Sequence, residues 1–76
     1  MTVRQTLDTK GLKCPLPVLK ARRAMKALER GAVLEVHATD PGSVKDFEAF
    51  CATTGDALLS SRREGDVFVF EIRKGG

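Results

Sequence analysis

From residue 2 to residue 8 the side chains alternate, with Val3, Gln5 and Leu7 on one side and Thr2, Arg4, Thr6 and Asp8 on the other. A two-residue period marks a strand with one buried face. Thr9-Lys10-Gly11 reads as the turn that ends it, with Gly11 supplying a permissive backbone. The period then lengthens. From Pro15 to about Leu28, Val18, Ala21, Met25 and Leu28 recur at steps of three and four, the buried stripe of a helix, and Gly31 stands where it stops. Ala32 to Ala38 returns to strand, with Leu34, Val36 and Ala38 on one face and Val33, Glu35 and His37 on the other.

Asp40-Pro41 reads as a second helix start, with Asp40 as N-cap and Pro41 in the first helical position. Val44, Phe47, Phe50, Cys51 and Thr54 follow at helical spacing, and Gly55 closes the segment. The last third is a hairpin, Ala57 to Arg63 and Val67 to Arg73 around Glu64-Gly65-Asp66. In its second strand Phe68, Phe70 and Ile72 face one way, and Val67, Val69, Glu71 and Arg73 the other.

The order β-α-β-α-β-β predicts an α+β fold, a two-layer sandwich with one four-stranded mixed sheet. A chain of 76 residues can cover only one sheet face, so both helices belong on the same side and the other face is left to water. Leu34, Val36, Phe68, Phe70 and Ile72 would meet Val18, Met25, Phe47 and Phe50 between the layers. The whole chain, 1–76, reads as a single domain. Its composition, 42% hydrophobic and 30% charged, is that of a globular protein. No apolar run approaches the ~20 residues of a membrane span, and residues 1–5 lack the apolar stretch of a secretory signal. A cytoplasmic location and a monomer are the expectations.

Charge changes this picture by where it lies. Between Lys10 and Arg30 seven basic residues face one acid, Glu29, a local balance of +6; the rest of the chain carries −3, and the total is +3. For any one of these cations a solvated helix face is an equal reading; together they set a positive field on the first helix.

Candidate chemistry lies at the start of that helix. In Cys14-Pro15-Leu16-Pro17 two prolines would ruin an element's interior but suit a first helical turn, where the missing N–H groups have no partner. Cys14 then stands at or just before the first residue, with its sulfur facing unpaired N–H groups and the positive end of the helix dipole, where thiolates form most easily. Lys10, Lys13 and Lys20 would favour the anion further. Leu16 and Leu19 fall off the buried stripe, either as edge-of-core residues or as an apolar rim on which a partner docks beside Cys14. Cys51, on the apolar stripe of the second helix, reads as a small core residue. His37, the only histidine, reads as a surface strand residue. Neither cysteine has a partner at zinc-ligand spacing, and phosphate-binding glycine loops are absent, so no metal, flavin or nucleotide site is expected.

Leu7-Asp8, Gly11-Leu12, Cys14-Pro15-Leu16-Pro17, Asp40-Pro41, Phe50-Cys51 and the end Ile72-Arg73-Lys74-Gly75-Gly76 together resemble the TusA/SirA family of small sulfur-carrier proteins, over essentially the whole chain. The resemblance implies the same two-layer sandwich, and a Cys14 that carries sulfane sulfur covalently as a persulfide with no other cofactor. The sulfur would come from a cysteine desulfurase or a rhodanese-like donor and pass to an acceptor protein. By position, Gly11, Pro15 and Pro17 shape the loop and the helix start, and Arg22, Lys26 and Asp40 match positions associated with partner docking. One departure is Leu16, where members that serve tRNA thiolation commonly have an acidic residue. Molybdenum-cofactor assembly and cytoplasmic sulfur oxidation are the other pathways such carriers serve, and Leu16 is the residue expected to bear on partner choice.

Three other readings compete. The terminal Gly75-Gly76 resembles the end of ubiquitin-like carriers that hold sulfur as a thiocarboxylate. The basic helix suggests a regulatory or nucleic-acid-binding module, although single-strand binding pairs basic grooves with aromatic platforms, and the four Phe here fall at core positions. A redox sensor would pair Cys14 with Cys51, which the helix assignment keeps apart.

Overall fold

A computed structural model describes residues 3–75. It contains β1 (Arg4–Thr9), α1 (Leu16–Lys26), β2 (Val33–Ala38), α2 (Ser43–Thr54), β3 (Ala57–Glu64) and β4 (Val67–Arg73), in the expected β-α-β-α-β-β order. Thr2, expected to open the first strand, and the terminal Gly76 lie outside the described residues.

The sheet is mixed, in the order β1-β2-β4-β3. β1 runs parallel to β2, and β4 is antiparallel to both β2 and β3. Register aligns the apolar parity of all four strands: Leu7 pairs with Val36, Val36 with Phe70, and both Leu34 and Leu58 with Ile72. Both helices cover this face. Ala21 and Met25 from α1 and Phe47 and Cys51 from α2 join Leu34, Val36, Ala38, Phe70 and Ile72 in one buried cluster, with Val18, Leu28, Val44, Phe50 and Phe68 packed around it. Phe47 stacks on Phe70 at 4.6 Å between ring centroids.

Local details differ from the sequence reading where distant residues intervene. Thr9 belongs to the strand and not to the turn: its side chain is buried, and Oγ1 donates to the His37 carbonyl at 2.6 Å, across the β1–β2 pair. α1 ends at Lys26, well before Gly31, and just past the end of β4 Lys74 Nζ reaches over to donate to the carbonyls of Met25 and Leu28, each at 2.7 Å. Gly31, at φ +84, turns the chain into β2. α2 begins at Ser43 with Gly42 as N-cap, so Asp40 is not the cap and Pro41 is not the first helical residue. The Asp40 side chain is engaged elsewhere, as described below. The hairpin turn is tighter than read: Glu64 is still strand, and only Gly65 (φ +65) and Asp66 connect β3 to β4. A bulge at Leu59 leaves that residue unpaired on the β3 edge.

The second face of the sheet is not simply open to water. Arg4 on β1 bonds Glu35 on β2 at 2.6 Å and lies 3.3 Å from Glu71 on β4. Arg62 on β3 bonds the same Glu71 at 2.8 Å. His37 Nε2 lies 2.7 Å from Glu35. This row of charges crosses all four strands, and the stems of its side chains help cover Val69, which is only 2% exposed although it points away from the helices.

Candidate functional site

Because β1 and β2 are parallel neighbours with Thr9 opposite Ala38, the loops that leave their C-terminal ends emerge side by side. One is the segment 10–15, which carries Cys14; the other is the segment 39–42. The two loops are stitched together. Gly11, held at φ +84, donates its N–H to Thr39 Oγ1 at 2.9 Å, and the Cys14 N–H donates to Asp40 Oδ2 at 3.0 Å. The close approach also needs Gly42: a Cβ there would stand 3.1 Å from Asp40 Oδ2, 3.4 Å from Cys14 Cβ and 3.6 Å from Cys14 Sγ.

Cys14 itself is exposed and free. The Cys14–Pro15 peptide is cis. Pro15 occupies the N-cap of α1 and Pro17 lies buried within the first turn, so both prolines sit where a helix start tolerates them. The sulfur does not face the free N–H groups of α1. Its S–H donates to Asp46 Oδ2 in the first turn of α2. That bond, some desolvation, and the negative charges of Asp46 and Asp40 push the thiol up to about 11. The expectation that the helix dipole and Lys10, Lys13 and Lys20 depress it is therefore reversed. A carboxylate in hydrogen-bond contact outweighs a partial charge on a helix end and lysines that reach into solvent. Lys10, for instance, lies beside Asp8, with Nζ and Oδ2 4.0 Å apart.

The other singled-out residues fall around this thiol. Leu16 and Leu19 are 46% and 50% exposed. Leu19 is the ridge between two shallow grooves. One, of about 310 Å³, runs between the helices and is lined by Pro15, Val18, Leu19, Arg22, Asp46 and Phe50 among others. The other, of about 400 Å³, lies between α1 and β1 and is lined by Leu7, Leu16, Leu19, Lys20, Arg23 and Ala24. Arg22 continues, with Lys26, into a third hollow toward the C-terminal end of α1. Cys51 is 6% exposed in the core cluster, where burial pushes its thiol up to about 11; it is not brought to Cys14.

Asp46 and Gly42 were not singled out by sequence reasoning. An acid in the first turn of a helix already has a sufficient explanation as a complement to the dipole. Only the parallel pairing of β1 with β2 brings that turn against Cys14.

The chain matches the family described as Sulfurtransferase TusA over residues 5–74. It is 54% identical over 70 residues to the sulfur carrier protein TusA of Allochromatium vinosum, covering 92% of each chain. It is 49% identical to the putative sulfur carrier protein YrkF of Bacillus subtilis, covering 92% of this chain but 38% of that longer one. The fold matches that of a SirA-like protein from Desulfitobacterium hafniense with a TM-score of 0.81 at 24% identity, over 95% of this chain and 99% of the other. A β-α-β-α-β-β sandwich with a free cysteine in the loop between β1 and α1, matched along nearly its whole length, is thus a member of the TusA family.

Proposed function

We propose that the protein is a sulfur carrier that takes sulfane sulfur onto Cys14 as a persulfide and relays it to an acceptor protein. The observation that carries this reading is the contrast between the two thiols: Cys14 stands exposed on the loop before α1, whereas Cys51 is buried in the core. The names of the Allochromatium and Bacillus relatives point the same way.

The chemistry is an exchange without net oxidation. Cys14 Sγ attacks the outer sulfur of a donor persulfide, R–S–S–H; an Sγ–S bond forms and the donor S–S bond breaks. The donor sulfur leaves as a thiolate and takes up the proton that Cys14 gives away, so that Cys14–SH and R–S–SH become Cys14–S–SH and R–SH. The second transfer repeats this with Cys14 as the leaving group. A cysteine desulfurase or a rhodanese-like protein is the fitting donor. Leu16 and Leu19 near the start of α1, with Arg22 and Lys26 further along it, form an apolar and basic surface suited to a partner patch of apolar and acidic residues, and Leu16 bears on which partner is accepted.

Carriage at the C-terminus as a thiocarboxylate is less well supported. Gly75 is packed down: its N–H donates to Asp56 Oδ1 at 3.0 Å, and a Cβ there would stand 2.6 Å from the Gly55 carbonyl oxygen. The preceding Lys74 pairs with Ala32 and Gly31. A terminus that enters a partner's active site is better served by a free tail.

The test is mass spectrometry after incubation with a persulfidated rhodanese. The wild-type protein and Cys51→Ser should each gain the mass of one sulfur atom, removable by dithiothreitol, and Cys14→Ser should gain none. Sulfur uptake by Cys14→Ser would overturn the proposal.

A further inference from the structure

Asp46 touches the reacting atom, yet neither the family resemblance nor the sequence pattern gives it a part. Its Oδ2 accepts the Cys14 S–H, and it lines the groove between the helices beside Pro15 and Leu19. The contact is braced on both sides. Asp40 Oδ2 holds the Cys14 backbone, and Gly42 offers no Cβ to keep the loop and α2 apart.

We propose that Asp46 is a positioning residue that holds the Cys14 thiol protonated and turned toward α2 in the unengaged protein, and that the thiol becomes a nucleophile when a partner disturbs this contact. The role in sulfur relay rests on the persulfide reading above; the contact with the thiol does not.

The physical argument runs through charge. A thiolate at Sγ would lose the S–H···O bond and bring a full negative charge against a carboxylate. Against Cys14 stand Asp46 from α2 and Asp40 from the β2–α2 connection; Arg22 from α1 lines the groove that Asp46 also lines, and Lys13 precedes Cys14 in the loop. The charges that act on the thiol are the two carboxylates, and both oppose ionisation. Since the thiolate is the attacking form, the free carrier is guarded against stray electrophiles and oxidants. A donor seated in the groove also covers Asp46, and a cationic group on that donor would neutralise it. After loading, Sγ carries no proton, the bond to Asp46 is gone, and the carboxylate repels the terminal sulfur of the persulfide anion outward, toward an acceptor.

The decisive experiment is the pH dependence of Cys14 alkylation by iodoacetamide, in a Cys51→Ser background so that one thiol reports. The parent should titrate near 11. Asp46→Asn, which keeps the shape but not the charge, should move the midpoint down by at least one unit, raising the alkylation rate at pH 8 about tenfold. It should also load faster from inorganic polysulfide, a donor that brings no protein surface. A parent midpoint near the ordinary ~8.5, or an Asp46→Asn midpoint equal to the parent's, would overturn the proposal. Circular dichroism shows whether the variant folds; if it does not, the parent midpoint alone decides. If the midpoint shifts as expected but no persulfide forms on Cys14 of the parent, it is the carrier reading that fails and not the thiol–carboxylate contact.

Discussion

The backbone N–H of Cys14 donates to the side chain of Asp40, 26 residues away, at 3.0 Å. This bond ties the loop before α1 to the loop before α2 and sets the height at which the thiol stands. Asp40→Ala should leave the fold intact, since the bond lies near the surface, and cost about 1 kcal/mol in urea denaturation. Its larger effect should be local: the Cys14 amide should exchange with solvent several-fold faster by NMR. An unchanged exchange rate would show that the loop is held by other contacts.

Gly42 invites a substitution that separates backbone from packing. Its φ of −65° suits any residue, so alanine there carries no conformational penalty. Yet the new Cβ would meet Asp40 Oδ2 at 3.1 Å and crowd the Cys14 side chain. Gly42→Ala should therefore change global stability by no more than about 1 kcal/mol while displacing Asp40 and altering Cys14 alkylation. Wild-type alkylation kinetics in Gly42→Ala would mean that the close approach is not required.

The charged face of the sheet makes the fold sensitive to acid. The His37 contact and then Arg4 hold Glu35 below the ordinary carboxylate range, and Arg62 and then Arg4 do the same for Glu71. A carboxyl whose pKa is depressed on folding stabilises the native state above its unfolded value, about 4.3. That contribution is lost as pH falls through the folded value. The urea midpoint should decline below about pH 4.5, and a Glu35→Gln, Glu71→Gln double variant should show a flatter decline. High salt should also shrink the difference, because these groups are partly exposed.

Core and rim should separate cleanly under mutation. Phe47 is fully buried against Phe70, so Phe47→Ala should cost about 3–5 kcal/mol, enough to unfold much of a domain this small. Leu16→Ser and Leu19→Ser, at positions about half exposed, should leave the thermal midpoint nearly unchanged. If they bear on partner choice, sulfur uptake from a protein donor should slow while uptake from polysulfide does not. Equal slowing with both donors would argue for an effect on the thiol itself.

The order of elements was legible from the sequence, and in β2 and β4 so was the side that meets the helices, because burial of one face repeats along the chain at the element's own period. Element ends were less legible. The Lys74 bonds to the carbonyls at the end of α1, and the bond from Thr9 in β1 to His37, are contacts between residues 46 or 49 and 28 positions apart. Asp40 was singled out for a helix cap, a local role, while its side chain serves Cys14 instead.

What the amino-acid sequence determined by itself is the β-α-β-α-β-β order, the helix start that two prolines impose at Cys14, and the basic character of α1. These are local properties, read from spacing and residue type. The ionisation of the thiol was decided by tertiary structure. The parallel pairing of β1 with β2 brings the first turn of α2, with Asp46, against a sulfur that local chemistry alone would have left facing a helix N-terminus, and a direct hydrogen bond to a carboxylate outweighs the more distant pull of a helix dipole.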